Sequence, residues 1–287
     1  MHCEILTDMT NKLRTVFISF GVLFSFVTAF PQTEKANDES FEGVITIAST
    51  LSGSKYNLKA YGVSENGEFY TTFYRKGKLR RWDDPLVGTI LLEDLENDMA
   101  YYWSPETKKG IKYILSTINK QKEALHSSGK KDVETGETKV SFGFKLKRWK
   151  QSETETQEIL GAKIIGETDI DYWAFADWGP IFYGSRMLKG FAFEMEWFQK
   201  MTAPLEGTTT LHQSDHVVDV KKEKLSGTIF EIPNDVSFGY YNTYDDVSSQ
   251  EKKITKAIKK YRKKHGISAT KGVTTVGGGQ KKGEWDY

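Results

Sequence analysis

The chain has 287 residues and a formal net charge of +1 at pH 7. With 38% hydrophobic and 13% aromatic residues, it can bury a sizeable core and form one large domain or two small ones. Its near-neutral charge excludes a global electrostatic field that would steer the whole molecule to nucleic acid or to an anionic surface.

The N-terminal segment has the pattern of a secretory signal peptide. Two basic residues precede an apolar run, 16–30, which would span only about 22 Å as a helix, short of the ~30 Å hydrocarbon core of a bilayer. The apolar run ends in Val27-Thr28-Ala29, with small residues at the third and first positions before the expected cut, so we predict cleavage after Ala29. The prediction is a signal peptide over 1–29, a flexible linker over 30–40, and an exported protein of the periplasm or the extracellular space. The alternative is an uncleaved N-terminal anchor.

Cys3 is the one cysteine of the chain, and it would leave with the signal peptide. A mature chain without thiols has no disulfide and no cysteine-based metal site, so its core must hold it together. We predict no cofactor.

The central part of the chain has the alternation of apolar and polar residues that predicts antiparallel strands. In 191–198, the aromatic residues at odd positions and Met195 share one face, while Glu194 and Glu196 lie on the other. A helix would scatter these aromatic side chains around its surface. This segment is therefore predicted to be a strand with one solvated face.

Two segments have helical spacing instead. Isoleucines and a leucine three or four residues apart predict a helix over 111–126. A second, basic amphipathic helix is predicted over 249–266, where 252–264 contain eight Lys or Arg and no acid and Gly266 ends the helix. The tail, 267–287, is of low complexity and is predicted to be disordered.

The order of these elements resembles that of a family of uncharacterised exported bacterial proteins, a domain-of-unknown-function (DUF) family. The phrases that carry the resemblance are FEGVITI, YRKGKLRRW, MAYYWSPETKKG, LKGFAFEMEW and TIFEIP, between about residues 41 and 236. The family's fold is similar to that of the Lol-type lipoprotein carriers (LolA/LolB-like). The resemblance implies an α+β fold over 41–248: an antiparallel β-rich incomplete barrel, or half-barrel, with covering helices, followed by the basic C-terminal helix. It brings no catalytic residues, and by fold analogy it implies lipid or lipoprotein binding.

An aromatic segment around Gly179-Pro180 is the predicted ligand site. Six aromatic residues fall within twelve positions there, and such side chains commonly line apolar pockets. The alternative is that the rings are ordinary core. The residues predicted to bind an apolar ligand are Tyr172, Trp173, Phe175, Trp178 and Phe182.

Two histidines four residues apart, His212 and His216, suggest a metal site, because imidazole groups bind zinc and copper. Their flanks are strand-like, which would place them about 13 Å apart, so a shared metal requires a turn at 213–215. We predict a polar hairpin turn here and no metal site. Acidic pairs such as Asp83-Asp84 are predicted to be solvated turn carboxylates.

Three functions stay open at this point. The first is a non-enzymatic envelope protein that binds an apolar or lipid-like ligand in the half-barrel cavity. The second is a structural or interaction protein of the envelope that uses the basic helix to bind a partner protein or an anionic surface. The third is a metal-dependent hydrolase. Nucleic acid is not an expected partner, because the basic helix lacks interleaved aromatic residues.

Overall fold

The computed structural model describes residues 41–54, 67–126, 131–159, 162–183, 186–204 and 207–267. The predicted signal peptide and linker and the tail after Ile267 lie outside these residues. Within them, the chain forms fourteen β-strands, two α-helices and two 3-10 turns.

The strands are β1 (Glu42–Gly53), β2 (Gly67–Lys76), β3 (Leu79–Asp84), β4 (Thr89–Asp94), β5 (Met99–Ser104), β6 (Lys109–Ile114), β7 (Lys131–Ser141), β8 (Phe144–Ile159), β9 (Ala162–Phe175), β10 (Ile181–Tyr183), β11 (Arg186–Leu188), β12 (Phe191–Ala203), β13 (Gly207–Lys222) and β14 (Ser237–Tyr240). The helices are α1 (Leu115–His126) and α2 (Tyr244–His265). The 3-10 turns are Ala176–Trp178 and Gly227–Phe230.

Twelve of the strands form one sheet in the order β14-β6-β5-β4-β3-β2-β1-β13-β12-β9-β8-β7, while β10 and β11 form a separate hairpin. Neighbouring strands are antiparallel, except that β14 runs parallel to β6. Apart from β14, the large sheet consists of two meanders. The first runs from β1 to β6, and the second contains β7, β8, β9, β12 and β13. They are joined where β1 pairs with β13, with Ile45 opposite Val220.

The sheet is strongly curved, and its concave inner face holds the core. Phe73 on β2 and Phe191 on β12 are separated by two strands, yet their ring centroids are 4.8 Å apart. Helix α2 packs over β5 and β6 on the same inner face. The largest core side chains that are less than 2% exposed are Tyr113, Tyr172, Phe73, Phe191 and Phe193.

The prediction of an α+β half-barrel of the LolA/LolB type is wrong. The chain forms an open, mixed sheet of twelve strands whose edges are β14 and β7, and the sheet dominates the fold. Alternation shows which side of a strand is buried, but not how many strands share one sheet. Here the rings of the aromatic segment close much of the inner face that covering helices were expected to close.

Both predicted helices start at different residues from those expected. The helix predicted over 111–126 is wrong at its start, because Ile111 and Ile114 lie in β6 and the helix begins at Leu115. Helix α2 begins at Tyr244, ahead of the predicted 249. Its N-terminal turn buries Tyr244 and Val247 in the main core, so α2 packs as part of the same core as the sheet.

Candidate binding surface on helix α2

Trp178, from the predicted ligand site, lies at the centre of the aromatic core. It is 2% exposed. Its ring centroid lies 5.2–5.9 Å from those of five phenylalanines: Phe41, Phe73, Phe144, Phe175 and Phe191. Tyr172 is also fully buried, and its hydroxyl donates a hydrogen bond to Asp132 Oδ1 at 3.0 Å.

The other predicted ligand residues do not all join this core. Phe175 packs edge-on against Phe144 and Trp178 on the inner face. Trp173 lies on the outer face, where Lys139 Nζ is 4.1 Å from its ring centroid. The side chain of Phe182 lies outside what the structure describes. The structure thus brings three of the five residues together among packed rings, and their role in ligand binding stays a prediction.

The two histidines lie on the outer face of β13. This strand continues without a turn through Gly207–Lys222, so His212 and His216 remain four residues apart on an extended backbone. His212 Nε2 lies 2.7 Å from Glu196 Oε2, and Ser214 donates a hydrogen bond to the other oxygen of Glu196 at 2.5 Å. In the described part of the chain, no three His, Cys, Asp or Glu side chains are grouped to hold a metal ion. The predicted polar hairpin turn is therefore wrong, because residues 212–216 lie inside β13, and the turn that a shared metal requires is not formed.

A row of charged side chains crosses the inner face, and sequence reasoning missed it. Arg75 on β2 is opposite Arg80 on β3, which is opposite Glu93 on β4. Glu93 is in turn opposite Ala100 on β5, and Ala100 is opposite Tyr113 on β6. All five are at most 4% exposed. Arg75 and Arg80 stand at inward positions of alternating strands, and this phase was the signal that could have revealed them. Glu93 gave no such signal, because β4 does not alternate and its first five residues are all buried.

The row joins the helices to the sheet. Arg80 Nη2 donates a hydrogen bond to the carbonyl oxygen of Trp178 at 2.8 Å, and the Arg75 guanidinium carbon lies 4.6 Å from the Trp178 ring centroid. Lys122 from α1 and Glu251 from α2 are 3% and 4% exposed and interact electrostatically with each other. We refer to Arg75, Arg80, Glu93, Lys122 and Glu251 as the buried charge cluster.

Burial dominates the protonation of this cluster. It raises the pKa of the Glu93 carboxyl to about 7, against the opposing effect of the positive charges of Arg80 and Lys122. Burial likewise lowers the pKa of the Lys122 ammonium, and the negative charges of Glu251 and Glu93 oppose this shift. Glu93 therefore changes its charge near neutral pH while it faces two cations inside the protein.

Two further carboxyls are buried at inner positions. Asp84 was predicted to be solvated, and that prediction is wrong, because the residue is 6% exposed and accepts a hydrogen bond from the Val87 amide at 2.9 Å. Asp215 accepts hydrogen bonds from the Gln213 side-chain amide at 2.9 and 2.8 Å. Burial raises the pKa of each carboxyl to about 6.

Helix α2 presents an exposed cationic surface to solvent. Six exposed lysines of α2 share one side of the helix. At about 100° per residue, they fall within roughly 120° of the helix circumference, opposite the buried residues Val247, Ile254 and Ile258. Both acids of the first turn precede this surface, and Glu251 faces the core. The basic face consists of the exposed residues Lys252, Lys253, Lys256, Lys260, Lys263 and Lys264.

Both ends of α2 are capped. Thr243 Oγ1 accepts a hydrogen bond from the amide of Asp246 at 3.2 Å, which satisfies one free donor of the first turn. Gly266 adopts the left-handed conformation at the C-terminus, and the Ile267 amide donates to the Arg262 carbonyl at 2.9 Å. The cations of the last turn also complement the negative end of the helix dipole.

Arg262 fixes the C-terminal end of α2 to the sheet. It donates to Glu106 Oε1 from Nη2 at 2.7 Å, to the Leu86 carbonyl from Nη1 at 2.7 Å and to the Pro85 carbonyl from Nη2 at 3.1 Å. Gly88, at φ 80°, allows this close approach, since a Cβ there would lie 2.2 Å from Arg262 Nη2. Helix α2, which carries the basic face, is therefore fixed at both ends.

Arg262→Ala is expected to lower the free energy of unfolding by about 2–3 kcal/mol, because it removes several hydrogen bonds to a charged, mostly buried group. Amides in the last turns of α2 should exchange hydrogen faster. Lys108→Ala, which breaks the exposed ion pair with Asp235, is the control and should change stability by less than about 0.5 kcal/mol. Equal effects of the two substitutions in urea unfolding would contradict the anchoring role of Arg262.

Comparisons with known proteins leave the family open. No family model and no curated protein sequence matches the chain, so the resemblance to a DUF family stays a prediction. Among solved structures, PNGF-II aligns with a TM-score of 0.37 and 10% sequence identity, over 73% of this chain and 34% of PNGF-II. The chain thus spans about a third of the length of that protein, and a likeness this distant carries no argument about fold or function. None of the described helices is both long enough and apolar enough to span a bilayer.

Proposed function

We propose that this protein is an exported, non-enzymatic envelope protein that docks on anionic lipid bilayers through the basic face of α2. The observation that carries the proposal is the basic face itself: six exposed lysines on one side of a helix with no acid after Glu251. Export is supported by the signal-peptide pattern over 1–29.

The charge pattern favours a flat anionic surface. A Lys or Arg near such a surface contributes on the order of 1 kcal/mol of attraction, which falls off within a Debye length. The basic face contains no large apolar side chain, so binding through it is electrostatic and needs no insertion of the helix. Because Arg262 anchors the C-terminal end of α2 to the sheet, the helix backbone needs no ordering on binding.

The test is co-sedimentation of protein purified from the cell envelope with phosphatidylglycerol-containing vesicles. Replacing three lysines of the basic face (Lys256→Glu, Lys260→Glu and Lys264→Glu) is expected to weaken binding on the order of a hundredfold or more. Wild-type binding should also fall as salt rises, because exposed charges are screened.

The control carries the same change in net charge at exposed lysines in the turn after β2, on β8 and on β9: Lys78→Glu, Lys150→Glu and Lys163→Glu. It should bind nearly as well as the wild type. If both triple variants lost the same amount of vesicle affinity, the loss would be due to overall net charge and the proposal would be overturned. Binding to duplex DNA but not to vesicles would overturn it as well and would place a nucleic acid on the basic face.

A further inference from the structure

The hairpin between β7 and β8 ends in an exposed apolar tip, 140–143. Ser141 pairs with Phe144, so Phe142 and Gly143 form a two-residue turn. Val140 is 72% exposed and Phe142 is 45% exposed. A Cβ built on Gly143 would meet nothing within 4 Å, so the tip points into open space.

Phe142 occupies a backbone conformation that its side chain disfavours. Its φ is 50°, and Gly143 follows at φ 82°. Two consecutive positive φ values are typical of the turn in which Asn-Gly is the preferred sequence, and a left-handed conformation costs a bulky residue about 1–2 kcal/mol. The chain therefore places a large, 45% exposed aromatic residue at a turn position where asparagine would be more stable.

Two lysines lie near the base of the hairpin tip. Lys145 is exposed and lies opposite Val140 in the hairpin. Lys222 Nζ from β13 lies 5.5 Å from the ring centroid of Phe144, which packs into the core just behind the tip. An apolar tip with cations behind it matches the depth profile of a bilayer interface, where aromatic rings lie among the headgroups and lysines reach the phosphates.

We propose that the hairpin tip is a second membrane contact, in which Phe142 and Val140 enter the interfacial region of an anionic bilayer while Lys145 and Lys222 remain at the headgroups. This inference rests on the proposed function in taking a bilayer as the partner. It uses a different part of the molecule from the basic face, and it adds an apolar, salt-insensitive component to binding.

The decisive variant is Phe142→Asn, because it separates binding from folding. It relieves the disfavoured turn, so thermal stability should be unchanged or higher, whereas partition into anionic vesicles should fall roughly tenfold from the loss of an apolar ring. Phe198→Asn is the matched control, since Phe198 is 40% exposed on the outer face of β12. A stable Phe142→Asn variant with wild-type partition would overturn the inference.

A fluorescence measurement separates this inference from the proposed function. With Cys3→Ser as background, an environment-sensitive dye on Phe142→Cys should shift to shorter wavelength when anionic vesicles are added, and a dye on Phe198→Cys should not. Sedimentation with vesicles without a shift at position 142 would overturn the tip contact and leave the basic face standing. A shift at 142 that survives charge reversal of the basic face at the same lipid concentration would support the tip and contradict the role of α2, because the basic face would then contribute nothing to affinity. Neither sedimentation nor a shift would overturn both.

Discussion

Trp178→Ala is expected to lower the free energy of unfolding by about 3–5 kcal/mol, the range found when a large buried aromatic side chain is truncated. Trp178 is 2% exposed, and its ring touches Phe41, which directly precedes β1, and four phenylalanines from β2, β8, β9 and β12. Neighbouring rings cannot collapse into so large a space without losing their own contacts. Removing the ring also takes away the surface over which the buried Arg75 lies.

The measurement is urea unfolding followed by circular dichroism. Trp173→Ala is the matched control, because Trp173 lies in the same segment but on the outer face beneath Lys139 and Arg148, and its loss should cost about 1 kcal/mol. If Trp178→Ala left stability nearly intact and instead removed a co-purified lipid, the aromatic segment would be a ligand site and not part of the core.

Unfolding at a series of pH values should show the protein losing stability as the pH rises from about 5 to about 8. Glu93 has its pKa raised from an ordinary value of 4.5 to about 7 in the folded state. Its contribution to stability is therefore fully present below pH 4.5 and is lost as the pH rises through about 7. For a shift of this size, the loss of stability from Glu93 alone is about 3 kcal/mol as the pH rises from below 4.5 to above 7. Asp84 and Asp215, each with a pKa raised to about 6, act in the same direction at lower pH.

Glu93→Gln should flatten the pH dependence, because the amide stays neutral throughout. Between about pH 6.5 and 7.5 most of the remaining wild-type slope should come from Glu93, because Asp84 and Asp215 have already lost most of their protons there, so the variant should be nearly flat in this range. Glu96→Gln removes an exposed carboxylate in the turn after β4 and is the charge-matched control. A Glu93→Gln variant that keeps the full wild-type slope above pH 6.5 would show that Glu93 does not titrate in the folded protein as described.

The sequence was informative wherever one short segment decided the outcome. The alternation in β12 predicted which side of the strand is buried, and Phe191, Phe193 and Met195 are indeed each at most 1% exposed. The run of lysines after Gln250 and Gly266 predicted a basic helix ending where α2 ends. Both inferences need only the 2.0 and 3.6 residue periods of strands and helices.

The parts that could not be predicted depend on contacts between distant residues. No local pattern shows that β1 pairs with β13, or that Trp178 meets Phe73 across a curved sheet. Charged residues at inward positions, such as Arg75 and Glu93, conflict with the binary pattern, and sequence alone does not reveal the partners that allow their burial. The disfavoured conformation of Phe142 likewise cannot be read from the sequence, because it depends on the backbone dihedral angles of the turn.

The pairing of β1 with β13 also determines when the molecule can finish folding. Strands β1 to β6 form a local meander, but β1 also pairs with β13, where Ile45 lies opposite Val220, about 175 positions further along the chain. A topology that depends on such distant pairings has a high contact order and folds slowly. The inner faces of both meanders therefore stay open to solvent, and to chaperones, until β1 and β13 have paired.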